Sequence, residues 1–184
     1  MTQRATRLKT ATARDAAFIL DTLGGASELT NGAARVAWSE FRAAHPDDGL
    51  YVIVGRPASL PTAELRRVNR GSEATLRGQS GWRPIGLLHI EVDRAHARGH
   101  LFLILHPSAR RRGYGADLWP EIARAARALG LHKVEAEVAG WNTAMRAALG
   151  RATPMVREGV LRDHIRHEGR WWDTEVWGKV MNDE

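Results

Sequence analysis

An α/β fold is what this sequence predicts, on three observations. Strand-like and helix-like hydrophobic patterns alternate along the chain. A glycine-bearing turn at 106–116 joins an apolar strand to an amphipathic helix. The carboxy-terminal segment reads as two strands around His-Glu-Gly-Arg, a hairpin. At 184 residues the chain is expected to form one domain, 1–184, with a core of its own.

Taken in order, residues 4–10 alternate through Thr6, Leu8 and Thr10 as a first strand. Residues 13–23 read as a helix with Phe18, Ile19 and Leu23 on its apolar face. A second helix is expected over 30–44, with Thr30 or Asn31 as cap and Val36, Trp38 and Phe41 apolar. Residues 50–55 form a short strand. The stretch 56–83, rich in Pro, Gly, Ser and Arg, reads as a long surface loop with a helical turn near 62–68. Residues 85–92 alternate, with Gly86, Leu88, Ile90 and Val92 on one face and His89 and Glu91 on the other. Residues 100–105 are apolar on both faces, as in a central strand covered on both sides.

Leu118, Ile122, Ala125, Ala126 and Leu129 recur at helical spacing, and the helix ends at Gly130. Pro120 sits well inside that predicted helix, where proline costs about 3 kcal/mol unless the helix kinks. Val134, Ala136 and Val138 define an alternating strand over 133–138. A short helix follows over 142–149, then the hairpin strands 155–166 and 170–181.

Composition narrows the function classes. No apolar run approaches the ~20 residues of a membrane span. The absence of cysteine excludes disulfides, a thiolate nucleophile and cysteine metal sites, and it fits a reducing cytoplasm. The net charge of +6 rests on arginine, because only Lys9, Lys133 and Lys179 are lysine. Arginines spread over solvated faces explain it, with one functional cluster at 110–112. A basic nucleic-acid-binding protein is the alternative, but no recognition motif for nucleic acid accompanies the charge. His164 and His167, three apart on a strand, fall on opposite faces, so no metal site is expected.

The turn 106–116, His-Pro-Ser-Ala-Arg-Arg-Arg-Gly-Tyr-Gly-Ala, carries the chemistry. Helix-start amides lack carbonyl partners and favour an anion, and Gly113 and Gly115 let backbone approach phosphate oxygens closely. No Lys-Ser/Thr pair follows the glycines, so this is not a P-loop. Arg110, Gly113 and Gly115 fit Arg/Gln-x-x-Gly-x-Gly, and the segment resembles the acetyl-CoA pyrophosphate loop of the GNAT superfamily of N-acetyltransferases. The order of elements matches as well. The resemblance implies a mixed sheet of about seven strands flanked by helices, with a splayed strand pair holding acyl-CoA.

It also implies roles for residues. The backbone of Leu103, Ile104 and Leu105 would pair with the pantetheine arm. The amides of Arg111, Arg112, Gly113, Tyr114, Gly115 and Ala116 would hold the pyrophosphate, and Arg110, Arg111 and Arg112 would add charge-assisted contacts. Arg111 stands where the family often has glycine, which a backbone cradle tolerates when φ there is negative. Asn142 matches the asparagine placed against the cofactor arm and also reads as a helix N-cap. Glu158 to Arg162 and Gly169 to Asp173 resemble the hairpin of RimJ/RimL-type amino-terminal acetyltransferases, where Trp171, Trp172 and Trp177 would wall an acceptor cavity. The hairpin edge offers a surface for a homodimer.

Two catalytic candidates follow. His100 begins the central strand where relatives carry a proton-accepting Glu, and Glu91 lies on the polar face of the neighbouring strand. Two departures stand out. Leu149-Gly-Arg-Ala-Thr-Pro-Met155 replaces the usual Leu-Gly-Phe turn, and Met145 occupies the position where relatives place an acidic hydroxyl. The expected activity is acetyl transfer from acetyl-CoA to a primary amine of a protein N-terminus or small molecule, by direct attack in a ternary complex. A CoA-binding regulatory module without turnover is the second alternative.

Overall fold

The computed structural model describes residues 5–12, 15, 18–19, 22, 47–56 and 82–181. Most of the two expected amino-terminal helices and of the 56–83 loop lie outside the described residues. Seven strands form one sheet: β1 (Ala5–Thr10), β2 (Gly49–Arg56), β3 (Arg83–Asp93), β4 (Arg98–Leu105), β5 (Lys133–Ala139), β6 (Val156–His167) and β7 (Arg170–Val180). Their order is β1-β2-β3-β4-β5-β7-β6. Two helices are described, α1 (Trp119–Ala128) and α2 (Thr143–Ala152). Each expected strand is present, with ends shifted by a residue or two.

Contacts divide the chain into two units: Met1–His89 with Leu103–Tyr114, and Ile90–Phe102 with Gly115–Glu184. In the first, β1 and β2 pair antiparallel from Ala5↔Arg56 to Thr10↔Tyr51. Val52 and Val54 of β2 gather with Phe18, Ile19, Trp82 and Leu87 in one apolar cluster. Phe18 and Ile19 are helical and buried, as their spacing requires. Asp15 is buried as well. Its carboxylate accepts from Thr12 N (3.0 Å), Thr12 Oγ1 (2.8 Å) and Lys9 Nζ (2.9 Å), while its own amide donates to the Thr12 carbonyl (2.9 Å). Among the described residues, only the half of a capping box in which a side-chain carboxylate accepts from the amide three residues earlier is formed.

In the second unit, α1 buries Ile122, Ala123, Ala125 and Ala126. Leu118, Leu131 and Val134 are buried as well. The helix stops where expected. Gly130 takes φ 70°, its amide donates to the Arg127 carbonyl, and the Leu131 amide donates to the Ala126 carbonyl (3.0 Å). Pro120 does not lie in the helix interior. A 3₁₀ turn occupies Tyr114–Asp117, the α-helix begins only at Trp119, and Pro120 falls in its first turn. An amide there has no intrahelical partner, so the proline forfeits nothing.

The hairpin β6–β7 turns through Glu168 (φ 48°) and Gly169 (φ 79°). Two positive φ values in a two-residue loop make the type I′ turn that matches strand twist. β7 also pairs with β5 from Lys133↔Val180 to Ala139↔Thr174. The expectation that 100–105 is covered on both sides holds only for part of the strand: Leu101 is buried, but Phe102 is 45% exposed.

Close approach sets one glycine in the second unit. A Cβ at Gly99 would lie 2.5 Å from Leu131 Cδ1 and 2.9 Å from Ile90 Cγ2. Gly99→Ala is expected to destabilise the fold by about 1–3 kcal/mol, through overpacking, as measured by denaturant unfolding.

Candidate active site

The parallel ladder between β4 and β5 is short. It comprises Arg98↔Lys133, Gly99↔Val134 and His100↔Glu135, and it ends there although β4 continues to Leu105 and β5 to Ala139. Beyond His100, therefore, the edge of β4 has backbone groups that β5 does not pair. Leu103, Ile104 and Leu105 occupy that stretch and are half-buried.

The turn after β4 is anchored to its own strand. The His106 amide donates to the Ile85 carbonyl (2.9 Å), and Arg110 folds back to donate its Nε to the Leu105 carbonyl (3.0 Å). His106 Nδ1 lies 2.7 Å from Ser108 Oγ, at the start of a 3₁₀ turn over Pro107–Ala109. Tyr114 is buried, its ring edge 3.0 Å from where a Cβ on Gly55 would sit. Between these anchors the backbone alternates in hand. Arg110 has φ −65°, Arg111 φ 58° and Gly113 φ 79°, while Arg112 and Tyr114 keep negative φ. Alternation of this kind turns successive N–H groups to one side, making an anion-binding nest. No backbone hydrogen bond among the described residues uses the amides of Arg111 or Gly113.

The condition of a negative φ at Arg111 is not met. Arg111 adopts the left-handed conformation, which costs a non-glycine residue roughly 1–2 kcal/mol. Its side chain is exposed, so only the backbone bears the constraint.

The cradle fits a diphosphate on two further observations. Nη2 of Arg110 is buried without a partner among the described residues, which leaves a charged N–H in need of an acceptor. A Cβ at Gly115 would meet nothing within 4 Å, so packing within the chain does not require the glycine, and the space beside it is open.

In the second unit, Glu91 is exposed on β3 and His100 half-buried on β4. At the hairpin between these strands, Asp93 accepts from Arg98 Nη2 (2.9 Å) and the His96 amide (3.2 Å). The Arg98 and His96 hydrogen bonds hold the Asp93 carboxyl down to about 2. An antiparallel register that pairs Asp93 with Arg98 brings Glu91 opposite His100, on one face. The His100 ring lies against Phe102, centroids 4.8 Å apart.

Asn142 caps α2, its Oδ1 accepting from the Met145 amide (3.1 Å). That bond uses the carbonyl oxygen and leaves the side-chain NH₂ as a donor, so capping and ligand contact are compatible.

The hairpin tryptophans separate. Trp171 and Trp172 line a cavity of about 430 Å³ together with Gly140, Arg146, Arg157 and Glu175, whereas Trp177 does not line it. Trp177 instead donates Nε1 to Glu175 (3.1 Å). Glu175 is a residue that the sequence did not single out. It is buried and accepts from Arg146 Nη2 (2.6 Å) and Arg157 Nη1 (3.2 Å). The Arg146 hydrogen bond, aided by Trp177 and Arg157, holds its carboxyl below the ordinary value. Glu158 pairs with Lys133 Nζ (2.7 Å) and plays a structural part. His167 stacks on Trp141, with centroids 4.3 Å apart, and His164 stands 4.0 Å from Glu137.

Comparison with known proteins agrees with this geometry. The profile of the acetyltransferase (GNAT) family matches residues 34–151, more than half of the chain. The chain therefore belongs to the GNAT acetyltransferase family and is an acyl-CoA-dependent acetyltransferase, with acetyl-CoA as donor. Among solved structures it is similar to the spermidine N-acetyltransferase of Vibrio cholerae bound to CoA and spermine, with TM-score 0.72 at 16% identity, covering 96% of this chain and 95% of that one. A protein provisionally assigned as a phosphinothricin N-acetyltransferase has TM-score 0.69 at 14% identity, with coverages of 97% and 100%. These likenesses are likenesses of fold. No curated protein matches at a significant level. No helix among the described residues is long and apolar enough to cross a membrane.

Two outcomes test the site. Glu175 is held below its ordinary value of 4.5, so its stabilising contribution is complete above that pH and is lost as pH falls through the lowered folded value. Glu175→Gln is expected to cost about 1–3 kcal/mol at pH 7 and to flatten the acid limb of stability below pH 4.5, read by urea unfolding across pH. Arg111→Gly is expected to leave thermal stability unchanged or raise it by up to about 1 kcal/mol, whereas glycine at an ordinary helix or strand position costs 0.5–1 kcal/mol.

Proposed function

We propose that this protein moves the acetyl group of acetyl-CoA to a primary amine, of a protein N-terminus or a small molecule, in the cytoplasm. The observation that carries the proposal is the alternating backbone at Arg110–Tyr114, directly after a strand whose ladder with β5 ends at His100. The whole span 1–184 serves as one GNAT domain, on the RimJ/RimL-like branch, a placement supported by the tryptophan-bearing hairpin. The exposed Val156 and Leu161 on β6 are where a second copy would pack.

Acetyl-CoA supplies the activated thioester. The amides of Arg111 through Ala116 bind its diphosphate, and Arg110, Arg111 and Arg112 add charge. The backbone of Leu103, Ile104 and Leu105 orients the pantetheine arm along β4, and Asn142 donates its NH₂ to that arm. Amides of the same strand polarise the thioester oxygen. The cavity walled by Trp171 and Trp172 receives the acceptor.

The amine must be neutral to attack. An α-amine near pKa 8 is roughly 10% neutral at pH 7, against about 0.04% for a lysine side chain. An α-amine therefore asks little of a base. Glu91 or His100, adjacent on one face, accepts its proton, through water where the distance requires it. Without cysteine, no thiol on the chain can carry the acyl group, which favours direct transfer.

Acetyl-CoA at 100-fold over its Kd is expected to stabilise the protein by about 2.7 kcal/mol, seen as a rise in melting temperature. A panel of primary amines is expected to release thiol, and a Glu91→Ala/His100→Ala double variant to lose that release while keeping the thermal shift. Absence of both signals in the native protein would overturn the proposal.

A further inference from the structure

The cavity on the hairpin has an imbalance of hydrogen-bonding groups that indicates what it receives. Glu175 is engaged on both oxygens, accepting from Arg146 and Arg157 on one and from Trp177 on the other, and Asp173 Oδ1 accepts from the Asp163 amide (3.0 Å). Two of the cavity's donors are not engaged. Nε1 of Trp172 and Nε of Arg146, both buried, have no partner among the described residues. Each is a donor only, so each calls for an acceptor. Glu175 faces two guanidinium groups, and Arg157 reaches it through a single nitrogen while remaining half exposed. Beside this polar floor stand Trp171, 59% exposed, and Val160, 45% exposed. The volume, about 430 Å³, is that of a small-molecule site.

We infer that the acceptor carries an oxyanion of its own: it is an amine-bearing carboxylate with an apolar body, such as a free hydrophobic amino acid. The inference rests on the reading above that this cavity receives the acceptor. The carboxylate accepts from Trp172 Nε1 and Arg146 Nε and lies within the field of Arg157. The apolar body packs on the indole of Trp171 and on Val160. The α-amine of such a molecule is also the kind that needs little help from a base.

The test compares L-phenylalanine, L-phenylalaninamide and phenethylamine as acceptors at saturating acetyl-CoA, with rates corrected for the neutral fraction of each amine. The acid is expected to exceed both others in kcat/KM by about 10- to 100-fold, the value of a charge-assisted hydrogen bond. Arg157→Ala is expected to lower kcat/KM for the acid at least tenfold more than for phenethylamine. Equal rates for acid and amide, or equal losses in the variant, would overturn the inference. A binding arm stands apart from turnover. N-acetyl-L-phenylalanine is expected to change tryptophan fluorescence saturably in the native protein and much less in Trp171→Phe, while N-acetylphenethylamine does neither. Product analogues that leave the fluorescence unmoved would overturn the inference even where acetyl-CoA binds. An acetyl-CoA thermal shift without any amine turnover would instead count against the transfer reading.

Discussion

Backbone groups at a strand edge call for partners, and the ladder between β4 and β5 ends after three residues. The proposed function rests on that early end. β5 continues, but its other edge is taken by β7 along its full length. β4 continues too, and its last residues run into a turn where, among the described residues, no backbone hydrogen bond uses the amides of Arg111 or Gly113. Under the proposed function a diphosphate would meet the amides of the turn and the pantetheine arm the strand edge.

The left-handed Arg111 and the late start of α1 belong to the same design. A tight turn of alternating hand needs two residues with positive φ, and only Gly113 accepts that without strain. The chain holds Arg111 there through flanking anchors: Arg110 on the Leu105 carbonyl and Tyr114 in the core. With the α-helix displaced to Trp119, the proposed diphosphate would meet amides and guanidinium groups rather than a helix dipole.

Local chemistry made much of this legible before any coordinates. Alternation located the strands, Gly130 the end of α1 and Glu168-Gly169 the hairpin, since each is decided within a few residues. Asn142 was legible for the same reason. Pro120 misled because pattern alone cannot tell an interior position from a first turn when a 3₁₀ turn intervenes. The Glu175 cluster was illegible: its partners are 29 and 18 residues away in sequence, and only the packing of α2 and the hairpin brings them together. Trp177 was assigned to a wall because its bond to Glu175 cannot be read from composition. Likewise the pairing of Glu91 with His100 depends on a strand register that neither residue announces.

The irregular backbone of β6 has a consequence of another sort. Its pairing with β7 slips between Arg157 and Gly159 and again between Leu161 and Ile165, where Asp163 takes φ 46°. An outermost strand so interrupted offers no straight template onto which a foreign segment could add and propagate. Molecules crowding against this border can meet it through side chains, yet fibril-like extension of the sheet is closed to them.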